Sequence, residues 1–375
     1  MLYDLFVSLV GSDSELASPA ITLRTALAAL MSFGLSLWAG PRFIRYMQRR
    51  GFLERAADSD SADISKFITT HAQQKLKTPT MGGVPIVGTF LVSAALFSSW
   101  SNLYALLGVF VVLSFAVLGW LDDATKMAGR GGLSRRAKML GLTGAGAVVL
   151  ALTTWFALST GRDALLTLHL PVVKAASVNC AEAGIFALGL LLFFEWFVLV
   201  GSANAVNITD GLDGLASGCA LISVFAVSVF CYAAGHYRFA EYLNVPFVKD
   251  AGEVTVLGGA LLGSILGFLW FNATPAQVFM GDTGSLAIGG FLGYAAIIAR
   301  QELILPVVAL VFVIEAASSW IQIYSYKLTK KRPFPYAPIH HIWQKRGMPE
   351  SKLVVRFWIV AAVSAVAGLA LLKLP

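Results

Sequence analysis

The chain has 375 residues, 57% of them hydrophobic and only 13% charged. A soluble domain keeps about a quarter of its residues charged, so this composition excludes a soluble globular enzyme and makes lipid the solvent for most of the surface. The net charge of +7 is no nucleic-acid signal, because in a membrane chain the position of each Lys and Arg carries the information, and three cysteines (Cys180, Cys219, Cys231) set in apolar sequence exclude a disulfide framework or a thiolate metal site.

From the N-terminus, Met1-Leu2-Tyr3-Asp4 lacks the basic region of a cleavable signal peptide, so the first apolar run is expected to stay in the protein. Apolar stretches long enough to cross a hydrocarbon core fall at about 21–45, 82–100, 103–122, 139–158, 184–202, 213–234, 254–271, 284–299, 303–326 and 354–373. With no water in the bilayer core, such spans are helices. The expected fold is therefore all-α, a polytopic membrane protein with about ten transmembrane helices in a single domain over 1–375. The segment 159–182, with apolar residues around Pro171, reads as a short surface hairpin.

Orientation comes from the cations. Segments 42–82, 122–140 and 327–356 carry eight, five and eight of the 28 Lys and Arg residues, and ten spans put all three segments on one side. Positive loops stay in the cytoplasm, so both termini are expected outside. Cytoplasmic loops then lie near 46–82, 122–140, 201–214, 272–285 and 327–353.

The first of these loops contains Lys75-Leu-Lys77-Thr78-Pro79-Thr80-Met81-Gly82-Gly83, Gly-rich and basic but without the residue order of a P-loop. Next, Asp122 and Asp123 end the third span. They read either as a solvated helix end or as part of a site. The macrodipole disfavours anions at a helix C-terminus by roughly 0.3–1 kcal/mol, and adjacent helical side chains point about 100° apart, so the pair suits two separate roles.

Asn204-Ala-Val-Asn207-Ile-Thr-Asp210-Gly211-Leu-Asp213-Gly214 opens the sixth span. Asp210 and Asp213 share a face if the helix has begun, and spare N–H groups at a helix start can hold a phosphate. The spacing and the missing terminal Glu exclude an EF-hand; a plain Asn/Asp/Gly capping turn is the alternative. The fourth loop runs Asn272-Ala-Thr-Pro275 to Phe279-Met-Gly281-Asp282-Thr-Gly-Ser285. Its Asp-Thr-Gly-Ser looks like an aspartic-protease loop, but such a protease needs a second Asp sharing a proton with the first, and no second Asp-Thr-Gly exists in the chain.

The last loop joins Lys330-Lys331-Arg332 to Ala337-Pro338-Ile-His340-His341. Alone it is a positive-inside anchor with structural histidines, or a phosphate pocket. Taken together, five aspartates from three loops lie near one membrane depth, where each ionised Asp costs about 2.5–3.5 kcal/mol on insertion scales. Such a cluster asks for a compensating cation or a function.

In their order along nearly the whole chain, Thr78-Pro-Thr-Met-Gly-Gly, Asp122-Asp123, Asn204 to Gly214, Phe279-Met-Gly-Asp282-Thr-Gly-Ser and Ala337-Pro-Ile-His340-His341 resemble the phospho-N-acetylmuramoyl-pentapeptide transferases, with Glu315, Ser318, Gln322 and Lys327 also matching. The resemblance implies a bacterial cytoplasmic-membrane enzyme of peptidoglycan synthesis. It would move phospho-MurNAc-pentapeptide from UDP-MurNAc-pentapeptide to undecaprenyl phosphate, giving lipid I and UMP. It also implies Mg²⁺, a homodimer, and an active site on the cytoplasmic face.

By motif, the resemblance makes Asp282 the magnesium ligand and gives Asp122 and Asp123 to the lipid phosphate and the reaction. Asn204 and Asp210 fall at the uridine side with Asp213 and Asn272 near it. Lys75, Lys126, Lys138, His340 and His341 would contact phosphates or sugar, and Asn207, Phe279 and Gln322 would also bind substrate. Lys77 stands where the family usually has Gly, and Ile342, Trp343 and Gln344 replace a third His, an aromatic and a Glu; a third imidazole is therefore not expected to be essential to the chemistry. A sibling that loads GlcNAc-1-phosphate onto the same lipid shares the metal and the acids. An ion-coupled transporter would place its acids near mid-membrane, where only Glu195 and Glu315 are expected.

Overall fold

A computed structural model describes residues 20–50, 78–170 and 177–373. Among them are ten helices of fifteen or more residues, as the ten apolar runs predict. These are α1 (Ile21–Arg49), α2 (Gly83–Phe97), α3 (Leu103–Met127), α4 (Arg135–Thr160), α5 (Ile185–Thr209), α6 (Leu215–Ala234), α8 (Glu253–Asn272), α9 (Gly281–Ile298), α11 (Leu310–Thr329) and α13 (Glu350–Leu371). The short α7 (Tyr237–Leu243), α10 (Leu305–Val308) and α12 (His340–Lys345) lie between them. Seven of the long helices are apolar and long enough to cross a membrane. The expected hairpin is present as β1 (Thr167–His169) paired antiparallel with β2 (Ser177–Asn179).

Local chemistry sets the helix ends. Asn102 caps α3 by accepting from Ala105 N, and Ser134 caps α4 through Ala137 N, each satisfying an N–H that the first turn leaves without a partner. Gly161 ends α4 in the left-handed region, where a glycine has no Cβ penalty.

Helix α9 is the centre of the bundle, and every residue from Thr283 to Ile298 is buried. A helix apolar all round belongs inside. It packs on α3 and α5, and two close backbone approaches depend on glycine. A Cβ on Gly119 would overlap the Asp282 carbonyl, and one on Gly83 would overlap the Gly284 backbone. At the periphery, Trp38, Trp155, Ile185, Phe186 and Phe193 are exposed, the surface that lipid covers.

Two expectations change. Helix α5 ends at Thr209 and α6 begins at Leu215, so Asp210 and Asp213 sit in the intervening turn and share no helical face. Asp210 caps the end of α5, and Gly214, at φ 80°, stands at the start of α6. Glu195 and Glu315 are also not the only acids within the helices. Glu253 opens α8 fully buried, paired with Arg24 of α1 at 2.5 Å. A Glu at the start of a helix and an Arg 229 residues away give no local sign of meeting.

Candidate active site

At the end of the bundle where α3 and α5 stop and α4 and α9 start, six of the expected residues form one cluster: Asp122, Asp123, Lys126, Lys138, Asn207 and Asp282. The aspartates lie in the last turns of α3 and the first turn of α9. One carboxylate oxygen from each of Asp122, Asp123 and Asp282 falls within 4.8 Å of the others.

Each carboxylate has a different environment. Asp122 accepts from Leu133 N at 2.7 Å and pairs with Lys126 Nζ at 2.7 Å. Asp123 Oδ1 accepts from Asp282 N at 3.1 Å, and its Oδ2 accepts from Thr283 N at 3.0 Å and Thr283 Oγ1 at 2.6 Å. Asp282 Oδ1 accepts from Asn207 Nδ2 at 2.8 Å, while its Oδ2 faces Lys138 Nζ at 2.5 Å and Lys126 Nζ at 3.4 Å. Asn207 Nδ2 also lies 2.9 Å from Ser285 Oγ, so the amide fixes which carboxylate oxygen turns toward the cations. The first turn of α9 favours the negative charge of Asp282 through the helix dipole.

These donors fit a hard divalent cation. Magnesium takes oxygen ligands and retains waters and substrate phosphates in its shell; the Asp282 side chain is 14% exposed, and its Oδ2 faces the two lysine ammonium groups. Asp123 already accepts three hydrogen bonds from α9, which favours Asp282, with Asp122 beside it, as the holding groups.

The remaining expected residues lie elsewhere. Asp213 and Asn272 are buried and bind loops together. Asp213 Oδ2 accepts from Ala276 N at 3.0 Å and its N–H donates to Glu350 Oε1 at 2.8 Å. Asn272 Oδ1 accepts from Gly214 N and Ser217 Oγ, and its Nδ2 donates to Val278 O. Phe279 exchanges backbone hydrogen bonds with Pro79 and Gly82, tying the Thr-Pro-Thr-Met-Gly-Gly segment to the start of α9. Gln322 holds Phe334 through both of its amide atoms. Asn204 donates to Val200 O on its own helix, and Asp210 caps α5 half-buried. Lys75 and Lys77 lie outside the described residues.

The two histidines differ. His340 is fully buried, with Nδ1 2.9 Å from Glu315 Oε2, and Gly211 lies directly against its Nε2. His341 packs against it with ring centroids 4.2 Å apart and planes tilted by 57°. Burial, then the charge of His340, holds the His341 pKa below the usual imidazole value. Sequence reasoning named Glu315 as matching the family pattern but not as the partner of His340, and it missed Thr283 and Glu350 as site-shaping groups. Thr283 carried a readable signal, a hydroxyl residue at a helix start; Glu350 acts across the fold and carried none.

Residues 104–300 match the family described as Glycosyl transferase family 4. The chain is also 41% identical, over 94% of its length and 95% of the relative's, to a phospho-N-acetylmuramoyl-pentapeptide-transferase from Wolinella succinogenes.

Proposed function

The chain belongs to the phospho-N-acetylmuramoyl-pentapeptide-transferase family, and from that premise we propose the reaction and the roles of its residues. The protein transfers phospho-MurNAc-pentapeptide from UDP-MurNAc-pentapeptide to undecaprenyl phosphate, forming lipid I and UMP at the cytoplasmic face of the bacterial inner membrane. The observation that carries this reading is the meeting of Asp282, Asn207, Lys126 and Lys138 beside Asp122: anionic ligand, orienting amide and two lysine cations at the edge of the apolar bundle.

In the transfer, an oxygen of the lipid phosphate bonds to the sugar-bearing phosphorus of the diphosphate. The bond from that phosphorus to the bridging oxygen breaks, and its electron pair leaves on UMP. Phosphoryl transfer of this kind depends on alignment and on neutralised oxygens. Asp122, next to the exposed end of α3, takes the proton of a singly ionised lipid phosphate. Lys126 and Lys138 turn from the carboxylates to the diphosphate oxygens, and Asn207 keeps Asp282 Oδ1 engaged so that Oδ2 stays available. Bound Mg²⁺, held by Asp282 Oδ2, would neutralise the diphosphate and stabilise the departing UMP.

Asn204 and Asp210 serve the uridine side, and His341 the sugar phosphate. Lys75 is assigned to phosphate on the family pattern alone. His340, Asp213, Asn272, Phe279 and Gln322 shape the loops around them. The enzyme works as a homodimer in the bilayer.

Purified full-length protein in detergent, given both substrates and Mg²⁺, should release UMP only when lipid and metal are both present. Asp282→Asn should lower the rate by about 10²–10³-fold, the usual cost of losing one preorganised charge-stabilising group. Release from UDP-GlcNAc in place of the muramoyl substrate would move the assignment to the sibling transferase. UMP exchange into the UDP sugar without lipid would replace direct attack by an aspartyl intermediate.

A further inference from the structure

Asp122 and Asp123 are adjacent and chemically identical, so only their surroundings can separate them. The first turn of an α-helix leaves its N–H groups without partners, and burying such a group unpaired costs as much as a lost hydrogen bond. Helix α9 begins inside the bundle, and the residue before it, Met280, offers no side-chain cap. The missing acceptor comes from another helix. Asp123 on α3 receives Asp282 N, Thr283 N and Thr283 Oγ1, at 3.1, 3.0 and 2.6 Å.

The backbone is shaped for this contact. Gly281 adopts φ 72°, and a Cβ there would lie 2.7 Å from Asp123 Oδ2. Gly119, one turn before Asp123 on α3, lets that helix touch the Asp282 carbonyl. Asp123 is 4% exposed and gives oxygen to three donors of the residues it caps. Asp122 is as buried, at 3% exposed, but its partners are Leu133 N on Oδ1 and Lys126 Nζ on Oδ2, so the two aspartates differ in their donors: none of those of Asp122 is a backbone group of α9.

We propose that Asp123 is a positioning residue, a cap supplied by α3 to the start of α9 that fixes the direction of the Asp282 carboxylate, and is neither the base of the transfer nor a metal ligand. The proposal rests on the reading that Asp282 holds the divalent cation. A general base needs an oxygen within reach of the proton it takes, whereas the Asp123 carboxylate is turned to the first-turn N–H groups and the Thr283 hydroxyl of α9, donors that stay paired only while it keeps its place. Its carboxylate instead bonds the N–H of Asp282 itself, so loosening it lets the metal-facing side chain drift. Groups that orient metal ligands in this way typically contribute about 10–100-fold in affinity or activity.

The test uses Mn²⁺ alone as the probe, its binding to full-length protein in detergent followed by electron paramagnetic resonance. Thr283→Val removes one donor from Asp123 at nearly constant volume; Thr283→Ser keeps it. The expected result is about tenfold weaker Mn²⁺ binding for Thr283→Val, near wild-type binding for Thr283→Ser, and little further loss when Asp123→Asn is added to Thr283→Val. At saturating Mg²⁺, Asp123→Asn should keep kcat within about tenfold of wild type, because losing a general base costs about 10²–10⁴-fold. Unchanged or tighter Mn²⁺ binding in Thr283→Val would overturn the proposal, since freeing Asp123 would then have created a ligand. A collapse of kcat in Asp123→Asn with Mn²⁺ binding intact would overturn it in favour of the base. Wild-type protein that binds no Mn²⁺ while still releasing UMP would instead remove the metal role of Asp282, a result separable from either of those. If Asp123→Asn does not fold, the Thr283 pair still decides between cap and ligand.

Discussion

Charge is buried in two regions of this bundle, and the two are built from different parts. Away from the cluster, Arg24 meets Glu253 through two hydrogen bonds of 2.9 and 2.5 Å, its Nη1 also reaches Phe97 O, and Ser99 N donates to the same Glu. Arg300 likewise pairs with Glu195 at 2.5 Å and Glu302 at 2.9 Å. All five side chains are at most 6% exposed. In the cluster, Asp122 and Asp282 meet lysines whose side chains are 39% and 16% exposed. The guanidinium is a rigid fork that matches a carboxylate bidentately, while the ammonium is a point charge on a flexible stem. Arginine closes a pair permanently; lysine leaves the carboxylate open to exchange partners. The same residue classes thus serve as a bolt in one place and as a site in the other.

The largest effect expected from this contrast is on stability. Arg24→Ala leaves Glu253 charged and buried, which costs about 3–5 kcal/mol for a broken buried pair. The melting temperature in detergent should fall sharply while kcat and KM of the folded fraction stay unchanged. Replacing both partners by Met and Leu should recover much of the loss, as apolar replacement of a buried pair often does. A shift in KM without loss of stability would erase the distinction between the regions.

Lys138→Met sharpens the other side. Partly exposed ion pairs contribute about 0–1 kcal/mol to stability, so the melting temperature should barely move. KM for the UDP substrate should rise about tenfold, the equivalent of about 1.4 kcal/mol in binding. A melting loss as large as that of Arg24→Ala would place Lys138 among the structural pairs.

The smallest effect concerns pH. Burial and then the charge of Arg300 lower the His169 pKa to about 4. The unfolded chain takes up this proton near pH 6.5 and the folded chain does not, so stability should decline as pH falls from about 6.5 and level off near 4. His169→Gln should flatten that part of the melting curve against pH. An unaltered slope would show that His169 is charged freely in the fold.

Much of this was readable along the chain. Hydrophobic runs placed most helix ends to within a few residues, and Asp122, Asp123, Asn207 and Asp282 were marked by acids and amides near span ends; α5 runs on to Thr209, so Asn204 and Asn207 lie in its last turns and not in the expected loop. The start of α11 was misjudged, since residues 303–309 are apolar but fold as the separate turn of α10 before Leu310. The sharing of a face by Asp210 and Asp213 failed for a similar reason, because three-residue spacing has meaning only inside a helix, and both lie between the end of α5 and the start of α6.

What the sequence determined by itself was the medium, the run of long helices and the end of the bundle that carries the acids, because hydropathy and the clustering of charge are local properties of the chain. Only the tertiary structure decided what each acid does. Asp123 finds its donors 159 and 160 residues away because glycines let α3 and α9 touch, and Arg24 meets Glu253 because α1 packs along α8. Hydrogen bonds and ion pairs act over about 3 Å, and which groups come that close is fixed by how the helices pack.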